Sequence, residues 1–144
     1  MSHTRFLFHI VFATKDRFPL ISPTWESELY KYITGIVRNL KGHVIEINGM
    51  PDHIHILVSL DPCDFSVLMR ELKSSSSRWA KRYHPKFSWQ RRYGAFTVSE
   101  SAVDAVREYI RQQKEHHKKR TFEVEYIALL QKHNVEFDKR YLWN

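Results

Sequence analysis

Two histidines lie one residue apart inside an apolar run, "GMPDHIHILVSL", residues 49–60. Residues two apart on a β-strand point to the same side, so His53 and His55 share a face with Leu57 and Ser59, while the aliphatic residues between them form the core-facing side. Two imidazoles at this spacing can reach one cation. Such pairs also occur as hydrogen-bonded surface histidines, so the spacing alone leaves both interpretations open.

A later segment offers a nucleophile and an oxygen ligand. Tyr109 and Gln113 lie four residues apart in "AVDAVREYIRQQKEHHKKR" and therefore share one face of a predicted helix. If this helix packs beside the histidine strand, Gln113 can supply a third metal ligand with the Tyr109 phenol one turn away. A divalent ion held in this way is a Lewis acid for a phosphate oxygen and favours deprotonation of a phenol. The pattern predicts phosphoryl transfer with Tyr109 as covalent nucleophile, and a plain core tyrosine is the alternative.

Other polar residues near these motifs admit more than one interpretation. His116 and His117 follow Gln113 closely, and either could take its place as the third ligand. Asp52 precedes the first histidine of the pair, where it could orient the imidazole or serve only as a turn residue. His9, on the first predicted strand, is expected to be structural.

The positive charge of the chain is concentrated in one segment. The sequence has 23 Lys and Arg against 16 Asp and Glu, a net charge of +7. Residues 70–92 contain eight bases and one acid, a difference equal to the net charge of the whole chain. Aromatic side chains alternate with these bases, and cations beside stacking rings are typical of a single-stranded nucleic-acid groove. The predicted DNA-binding residues are Arg70, Lys73, Arg78, Lys81, Arg82, Arg91, Arg92, Trp79 and Trp89; a solvated basic helix is the alternative.

The elements that must position these residues follow from periodicity and turn signals. Alternation, helical spacing and punctuation by Gly, Pro and Ser predict the order β-α-β-β-α-β, which is the ferredoxin-like unit of an α+β protein with an antiparallel sheet. An added C-terminal helix carries Tyr109. The predicted elements are a strand at 5–13, a helix at 24–40, hairpin strands at 43–49 and 53–60, a helix capped by Asp64 or Ser66 and ending near Tyr83, a strand at 87–99, a helix at 102–120 capped by Ser99 or Ser101, and a short helix with an aromatic tail at 121–144.

Length and composition are those of one domain. A chain of 144 residues with 42% hydrophobic and 14% aromatic residues can fill one core. We expect a ferredoxin-like core at roughly 1–99, the tyrosine helix at 100–120 and a C-terminal helix and tail at 121–144. The single cysteine, Cys63, cannot form an intramolecular disulfide, and the N-terminal apolar run is too short to span a bilayer. These features predict a soluble, intracellular protein.

The ordered set of motifs resembles a known family. His53-Ile54-His55 is an H-U-H pattern, U being a hydrophobic residue, and "YIRQQ" with Tyr109 and Gln113 follows it after a basic stretch. The sequence is similar to the single-tyrosine transposases of the HUH endonuclease superfamily. Those proteins move small bacterial and archaeal insertion sequences or, in a domesticated branch, act on repetitive palindromic elements. The similarity extends from "FHIVFATKDR" through "WQRRYGAFTVS" to the terminal "YLW".

The resemblance implies a role for each motif. His53, His55 and Gln113 would hold Mg²⁺ or Mn²⁺, and Tyr109 would attack a phosphate in single-stranded DNA. The products would be a 5′-phosphotyrosine and a free 3′-OH that later rejoins strands, without a nucleotide cofactor. Family members are dimers that recognise DNA hairpins, often with the tyrosine helix of one subunit completing the metal site of the other. The resemblance further implies a cytoplasmic, nucleoid-associated protein of a bacterium or archaeon.

Two other functions remain compatible with the sequence. One is a related HUH nuclease such as a replication initiator or relaxase, although those proteins are usually larger. The other is a DNA-binding protein of the same fold that has lost catalysis. The presence of both histidines, the tyrosine and the glutamine favours the transposase.

Overall fold

The fold is described from a computed structural model that covers residues 4–61 and 65–143. Within these ranges the chain forms a four-stranded antiparallel sheet in the order β2-β3-β1-β4, with the element order predicted from the sequence. The strands are β1 (Phe6–Ala13), β2 (Gly42–Met50), β3 (His53–Leu60) and β4 (Gly94–Thr97). The helices are α1 (Glu26–Asn39), α2 (Phe65–Ala80), α3 (Val103–Arg111), α4 (Gln113–His116) and α5 (Phe122–Lys132).

Alternation along the central strands separates two apolar layers. On β3, Ile54 and Ile56 pack with α1 and α2 in the larger cluster. On β1, Val11 and Ala13 point to the other side, where they pack with Phe122 and its neighbours on α5. The sheet is therefore covered on both faces, and α3, α4 and α5 form the second layer over the histidine face of β3.

A tight hairpin places the histidine pair at the start of β3. Met50 pairs with His53, and Asn48 pairs with His55 on the neighbouring strand. Gly49 lies so close to the turn that a Cβ at this position would overlap the His53 carbonyl. A side chain at position 49 would therefore move the strand that carries the histidines.

Two predicted boundaries differ from the structure. The strand predicted at 87–99 is limited to β4, and Trp89 makes a single bridge to Thr14 instead of belonging to a strand. Lys73 on α2 accounts for this difference, because its Nζ donates to the main-chain carbonyls of Gln90 and Arg91. Those two carbonyls therefore do not join a strand ladder. The segment is held by this side chain and by two main-chain hydrogen bonds beside Trp89, from the Lys15 amide to the Ser88 carbonyl and from the Gln90 amide to the Ala13 carbonyl.

The helix predicted at 102–120 is interrupted at Gln112. Asn48 Nδ2 donates to the carbonyl oxygens of Ile110 and Arg111, at 3.1 and 3.0 Å. These bonds satisfy carbonyls that a continuous helix would use internally, so α3 ends there.

The predicted helix caps are also corrected. Ser66 lies inside α2, and Asp64 and Cys63 lie outside the described residues. Neither Ser99 nor Ser101 caps α3, because a 3-10 turn at Glu100–Ala102 precedes the helix and the two hydroxyls contact each other at 3.2 Å. The capping hydroxyl of the C-terminal layer belongs to Thr121, which accepts from the Val124 amide at the start of α5.

Candidate active site

The histidine pair is buried beneath the C-terminal helices. His53 and His55 are both fully inaccessible to solvent. The alternation predicted from sequence is correct, and the face that it leaves for the histidines is covered by α3, α4 and α5. The pair is therefore not a surface feature, and buried imidazoles need hydrogen-bond or metal partners.

A polar contact at the Nδ1 atom fixes the orientation of each imidazole of the pair. His53 Nδ1 lies 2.7 Å from Asp52 Oδ1, and His55 Nδ1 lies 2.9 Å from His9 Nε2. Both Nε2 atoms consequently point to the same place in the interior. This arrangement is typical of metal-binding histidines, whose second ring nitrogen is fixed by an outer partner. Asp52 is thus an orienting residue, and the buried His9 has a structural role toward His55.

Side-chain atoms of three further residues lie close to the two Nε2 atoms. Gln113 Oε1 lies 3.2 Å from His53 Nε2 and 3.1 Å from His117 Nε2. Glu125 Oε1 lies 3.0 Å from His55 Nε2, 3.0 Å from His117 Nε2 and 3.3 Å from His53 Nε2. The structure therefore brings the sequence-predicted His53, His55 and Gln113 together and adds His117 and Glu125.

The donor set fits a divalent cation. One ligand atom each from His53, His117 and Glu125 lie within 4.8 Å of one another, a group that does not include His55. Imidazole nitrogens with carboxylate and amide oxygens are ordinary ligands of divalent metals. Of the two histidines that could have replaced Gln113, only His117 contributes here; His116 stacks on the Tyr109 ring at 4.8 Å.

Tyr109 adjoins this donor set in the same chain. Its hydroxyl donates a hydrogen bond to Glu125 Oε2, which also accepts from Gln113 Nε2 at 2.9 Å. Arg120 Nη2 donates to the Tyr109 oxygen at 3.0 Å. One carboxylate thus connects the phenol to the imidazoles. A guanidinium at the phenol oxygen is well placed to stabilise negative charge that develops there.

The pKa values of the site depend on burial and on these hydrogen bonds. Burial lowers the pKa of His55 to about 4 and that of His9 to about 3. Burial also disfavours a charged His53, but the hydrogen bonds to Asp52 and Glu125 outweigh it and raise the pKa of His53. Without metal, His53 is therefore the more easily protonated imidazole of the pair.

Burial and hydrogen bonds also shift the pKa values of Glu125 and Tyr109. Although burial favours a neutral acid, hydrogen bonds from His117, His53 and His55 hold the pKa of Glu125 well below its usual range. Burial and the hydrogen bond to ionised Glu125 raise the pKa of Tyr109 above its usual value. The metal-free site thus holds a neutral phenol against a carboxylate.

Glu125 was missed in the sequence, although a signal for it is present. It lies between Phe122 and Leu129 on the apolar stripe of α5, and it is fully buried. An acid at a core position of an amphipathic helix requires buried partners. That signal identifies a buried carboxylate, but it does not identify the histidines as its partners.

The basic segment lies mainly on the opposite face of the sheet from Tyr109, because α2 packs in the other apolar layer. Trp89 is 8% exposed, and its indole donates to Ser76 Oγ, so no ring face is available for stacking on a base. Trp79 is partly buried and stacks on Tyr32 at 5.3 Å. Lys73 is half-buried against the carbonyls described above. The exposed members are Arg70, Arg78, Lys81, Arg82, Arg91 and Arg92.

Comparison with known proteins identifies the family. The family model described as "Transposase IS200 like" matches residues 2–113. The chain therefore belongs to the IS200-like transposase family, whose members are DNA-processing enzymes of DNA recombination. The match ends at Gln113, so His117 and Glu125 lie beyond it. No curated protein matches the sequence.

Two solved structures show the same fold. A candidate transposase from Deinococcus radiodurans R1 is 22% identical, with a TM-score of 0.64 over 78% of this chain and 93% of the other. A REP-associated tyrosine transposase bound to a REP hairpin is 19% identical, with a TM-score of 0.64 over 81% of this chain and 74% of the other. Among the described residues of our chain, no helix is long and apolar enough to cross a membrane.

Proposed function

We propose that this transposase nicks and rejoins single-stranded DNA at hairpin-marked ends through a 5′-phosphotyrosine on Tyr109. The observation that carries the proposal is the shared contact at Glu125, which joins the Tyr109 hydroxyl to the imidazoles of His53 and His55 within one chain. A nucleophile beside a set of metal donors is the arrangement that phosphoryl transfer requires.

The chain's own residues have distinct roles in this proposal. His53, His55 and Gln113 hold Mg²⁺ or Mn²⁺, with His117 and Glu125 as additional donors. The bound ion supplies Lewis-acid polarisation of a phosphate oxygen. The Tyr109 oxygen forms the bond to phosphorus as the bond to the 3′ oxygen breaks, and the phenol proton passes through Glu125 Oε2 to the leaving 3′ oxygen, which becomes the 3′-OH. Arg120 stabilises the charge on the phenol oxygen. The phosphotyrosine keeps the 5′ end for rejoining, so no nucleotide cofactor is consumed.

DNA binding is assigned to the exposed arginines of the basic segment. Arg78 on α2 and Arg82 in the turn after it are exposed, and α2 packs in the layer opposite Tyr109. Arg91 and Arg92 are exposed just before β4, where Arg92 lies beside Tyr126 of α5. A structured DNA element such as a hairpin could bind this surface while the single strand reaches the tyrosine. A homodimer is predicted from the resemblance, and analytical ultracentrifugation at several protein concentrations tests it.

The direct test is formation of a covalent adduct. The protein is incubated with labelled single-stranded hairpin DNA from the regions flanking its gene, with Mg²⁺ or Mn²⁺, and then denatured. We expect a protein–DNA adduct that is absent in Tyr109→Phe and present in Tyr141→Phe, a matched control at an exposed tyrosine. Mass spectrometry of the digested adduct should place the nucleotide on Tyr109.

Two outcomes would contradict the proposal. An adduct that persists in Tyr109→Phe would assign the nucleophile to another residue. Binding of the hairpin with no adduct in either metal would instead support the alternative, a DNA-binding protein that keeps the fold without catalysis.

A further inference from the structure

A cleft of about 530 Å³ opens beside Tyr109, on the side away from the imidazoles of His53 and His117. Its walls come from α3 and α5, and the segment that follows β4 closes one end. This volume is within the range of about 300–1,000 Å³ that is usual for small-molecule sites. The cleft is therefore large enough for one nucleotide, and the proposed nucleophile lies at its border.

Part of the cleft wall is apolar. Ala102 in the turn before α3, Ala105 on α3, and Ala128 and Leu129 on α5 all line the cleft. Small side chains leave the two helices separated where larger ones would fill the space. Apolar walls of this kind accept the face of a nucleobase, which loses contact with water when it binds.

Positive charge lies at the same cleft. Arg120 and Lys132 both line it, and the one acid among the lining residues, Glu125, already accepts hydrogen bonds from Tyr109 and Gln113. The Arg120 side chain makes one hydrogen bond among the described residues, to the Tyr109 oxygen, and the Lys132 side chain makes none there. Their remaining N–H groups can bind phosphate oxygens.

Polar groups at the end of the cleft complete the chemistry of a nucleotide site. Thr97 and Ser99 bring hydroxyls next to the apolar walls. These hydroxyls can both donate and accept, and can therefore bind the edge of a base or the oxygens of a sugar. Apolar faces, hydroxyls and two cations together match the three parts of a nucleotide better than they match a purely apolar ligand.

From these features we propose that the cleft binds one unpaired deoxynucleotide of the DNA substrate, namely the one whose 5′-phosphate becomes bonded to Tyr109. The assignment of this nucleotide to the DNA substrate rests on the proposed function. Its physical basis, binding of a deoxynucleoside monophosphate by the cleft, is independent of metal and of catalysis. The cleft therefore selects and holds the nucleotide on the 3′ side of the break.

The test uses the full chain, ¹⁵N-labelled and kept metal-free with EDTA, and follows amide NMR signals. Thymidine 5′-monophosphate, thymidine and inorganic phosphate are added in separate titrations, followed by the other three deoxynucleoside monophosphates. We expect saturable shifts at Thr97, Ala105 and Leu129 with the monophosphate. Binding of thymidine or of phosphate alone should be weaker by about tenfold or more, as expected for loss of either part of the contact.

Matched variants separate the cleft from other surfaces. Ala105→Trp fills the cleft and should abolish the shifts, whereas Asp104→Trp, at an exposed neighbouring position on α3, should leave them unchanged. Lys132→Glu should weaken binding of the monophosphate, and Lys139→Glu, an exposed lysine outside the cleft, should not. If Ala105→Trp does not fold, the lysine pair still decides the outcome.

Several results would overturn the inference. These are shifts that persist in Ala105→Trp, shifts at residues outside the cleft only, or equal binding of phosphate and monophosphate, which would indicate an anion site without base recognition. Failure of the proposed function is distinguishable, because it gives no adduct on DNA while the metal-free nucleotide titration remains positive. Conversely, a normal adduct in a folded Ala105→Trp protein would reject the cleft and keep the chemistry.

Discussion

The Tyr109 hydroxyl donates its hydrogen bond to Glu125 Oε2, and the other oxygen of the same carboxylate lies 3.0 Å from His55 Nε2. The proposed nucleophile and the proposed metal donors are therefore in contact through a single side chain. Glu125 lies on α5, beyond the residues that match the family model.

Replacement of Glu125 by glutamine should weaken metal binding without removing the side chain's volume. The variant loses the negative charge among three imidazoles, so we expect the affinity for Mn²⁺ to fall by about tenfold or more. The pKa of His53 should also fall, because the hydrogen bond to Glu125 is one of the contacts that raise it. Isothermal titration calorimetry and histidine NMR titration measure the two effects.

Glu123→Gln is the matched control for this prediction. Glu123 lies on the same helix but pairs with Arg17 at 3.6 Å, away from the metal donors. Its replacement should leave Mn²⁺ affinity unchanged. Equal affinities in the wild type and in Glu125→Gln would show that Glu125 is not a donor.

His117 and His116 should differ in their contribution to metal binding. His117 Nε2 lies 3.1 Å from Gln113 Oε1 and 3.0 Å from Glu125 Oε1, so His117→Ala should reduce Mn²⁺ affinity. His116→Ala should not, since its ring stacks on Tyr109. With a third imidazole in the site, Mn²⁺ should bind more tightly than Mg²⁺, by about tenfold or more, because Mg²⁺ prefers oxygen ligands. A larger loss of affinity in His116→Ala would show that this donor set is wrong.

The metal-free protein should lose stability as the pH falls from neutral toward 5. The pKa values of His9 and His55 are lowered to about 3 and about 4, whereas a histidine in the unfolded chain has a pKa of about 6.5. Between these values the unfolded state binds more protons, so each histidine removes about 2 kcal/mol of stability at pH 5. His53 has the opposite sign: its raised pKa gives a contribution that is retained in acid and lost at higher pH.

Urea unfolding in EDTA at pH 7 and at pH 5 measures this loss of stability. His9→Asn should reduce the difference in unfolding free energy between the two pH values by about half, because one of the two titrating groups is gone. His43→Asn, at an exposed histidine on β2, should leave the difference unchanged. An unchanged difference in His9→Asn would indicate that His9 is not held neutral by the fold.

Basic residues of α2 and of the turn that follows it should separate into structural and DNA-binding groups. Arg82 is exposed, so Arg82→Ala should weaken DNA binding and reduce the salt slope by about one unit while changing stability by less than about 0.5 kcal/mol. Lys73 Nζ donates to the Arg91 carbonyl at 2.9 Å, so Lys73→Ala should cost about 1–3 kcal/mol of stability. DNA binding at several salt concentrations and urea unfolding distinguish the two. Equal stability losses in the two variants would contradict this division.

The sheet and the histidine pair could be predicted from the sequence because they depend on local alternation. Ile54 and Ile56 mark the core side of β3, which fixes the opposite side for His53 and His55. The four-residue spacing likewise predicted that Tyr109 and Gln113 lie at one site. Both contact Glu125, although a break at Gln112 divides their helix.

The remainder of the site depends on tertiary contacts between segments far apart in sequence. Glu125 meets His55 across 70 residues, and Asn48 ends α3 across more than 60. Neither contact has a periodic signal, since each is created by the packing of α5 or α3 over the sheet. The burial of Trp89 has the same origin: its neighbours alternate as in a strand, but its indole is bound by Ser76 of α2.

The contacts among the proposed functional groups within one chain have a kinetic consequence. Tyr109, the imidazoles, Gln113 and Arg120 contact one another within the same chain. For the proposed reaction, cleavage of bound DNA would then be a first-order event within each molecule, and dilution that separates copies would leave its rate constant unchanged. Any dependence of the overall reaction on protein concentration would come from the capture of a second DNA end for rejoining, which is a separate, bimolecular step.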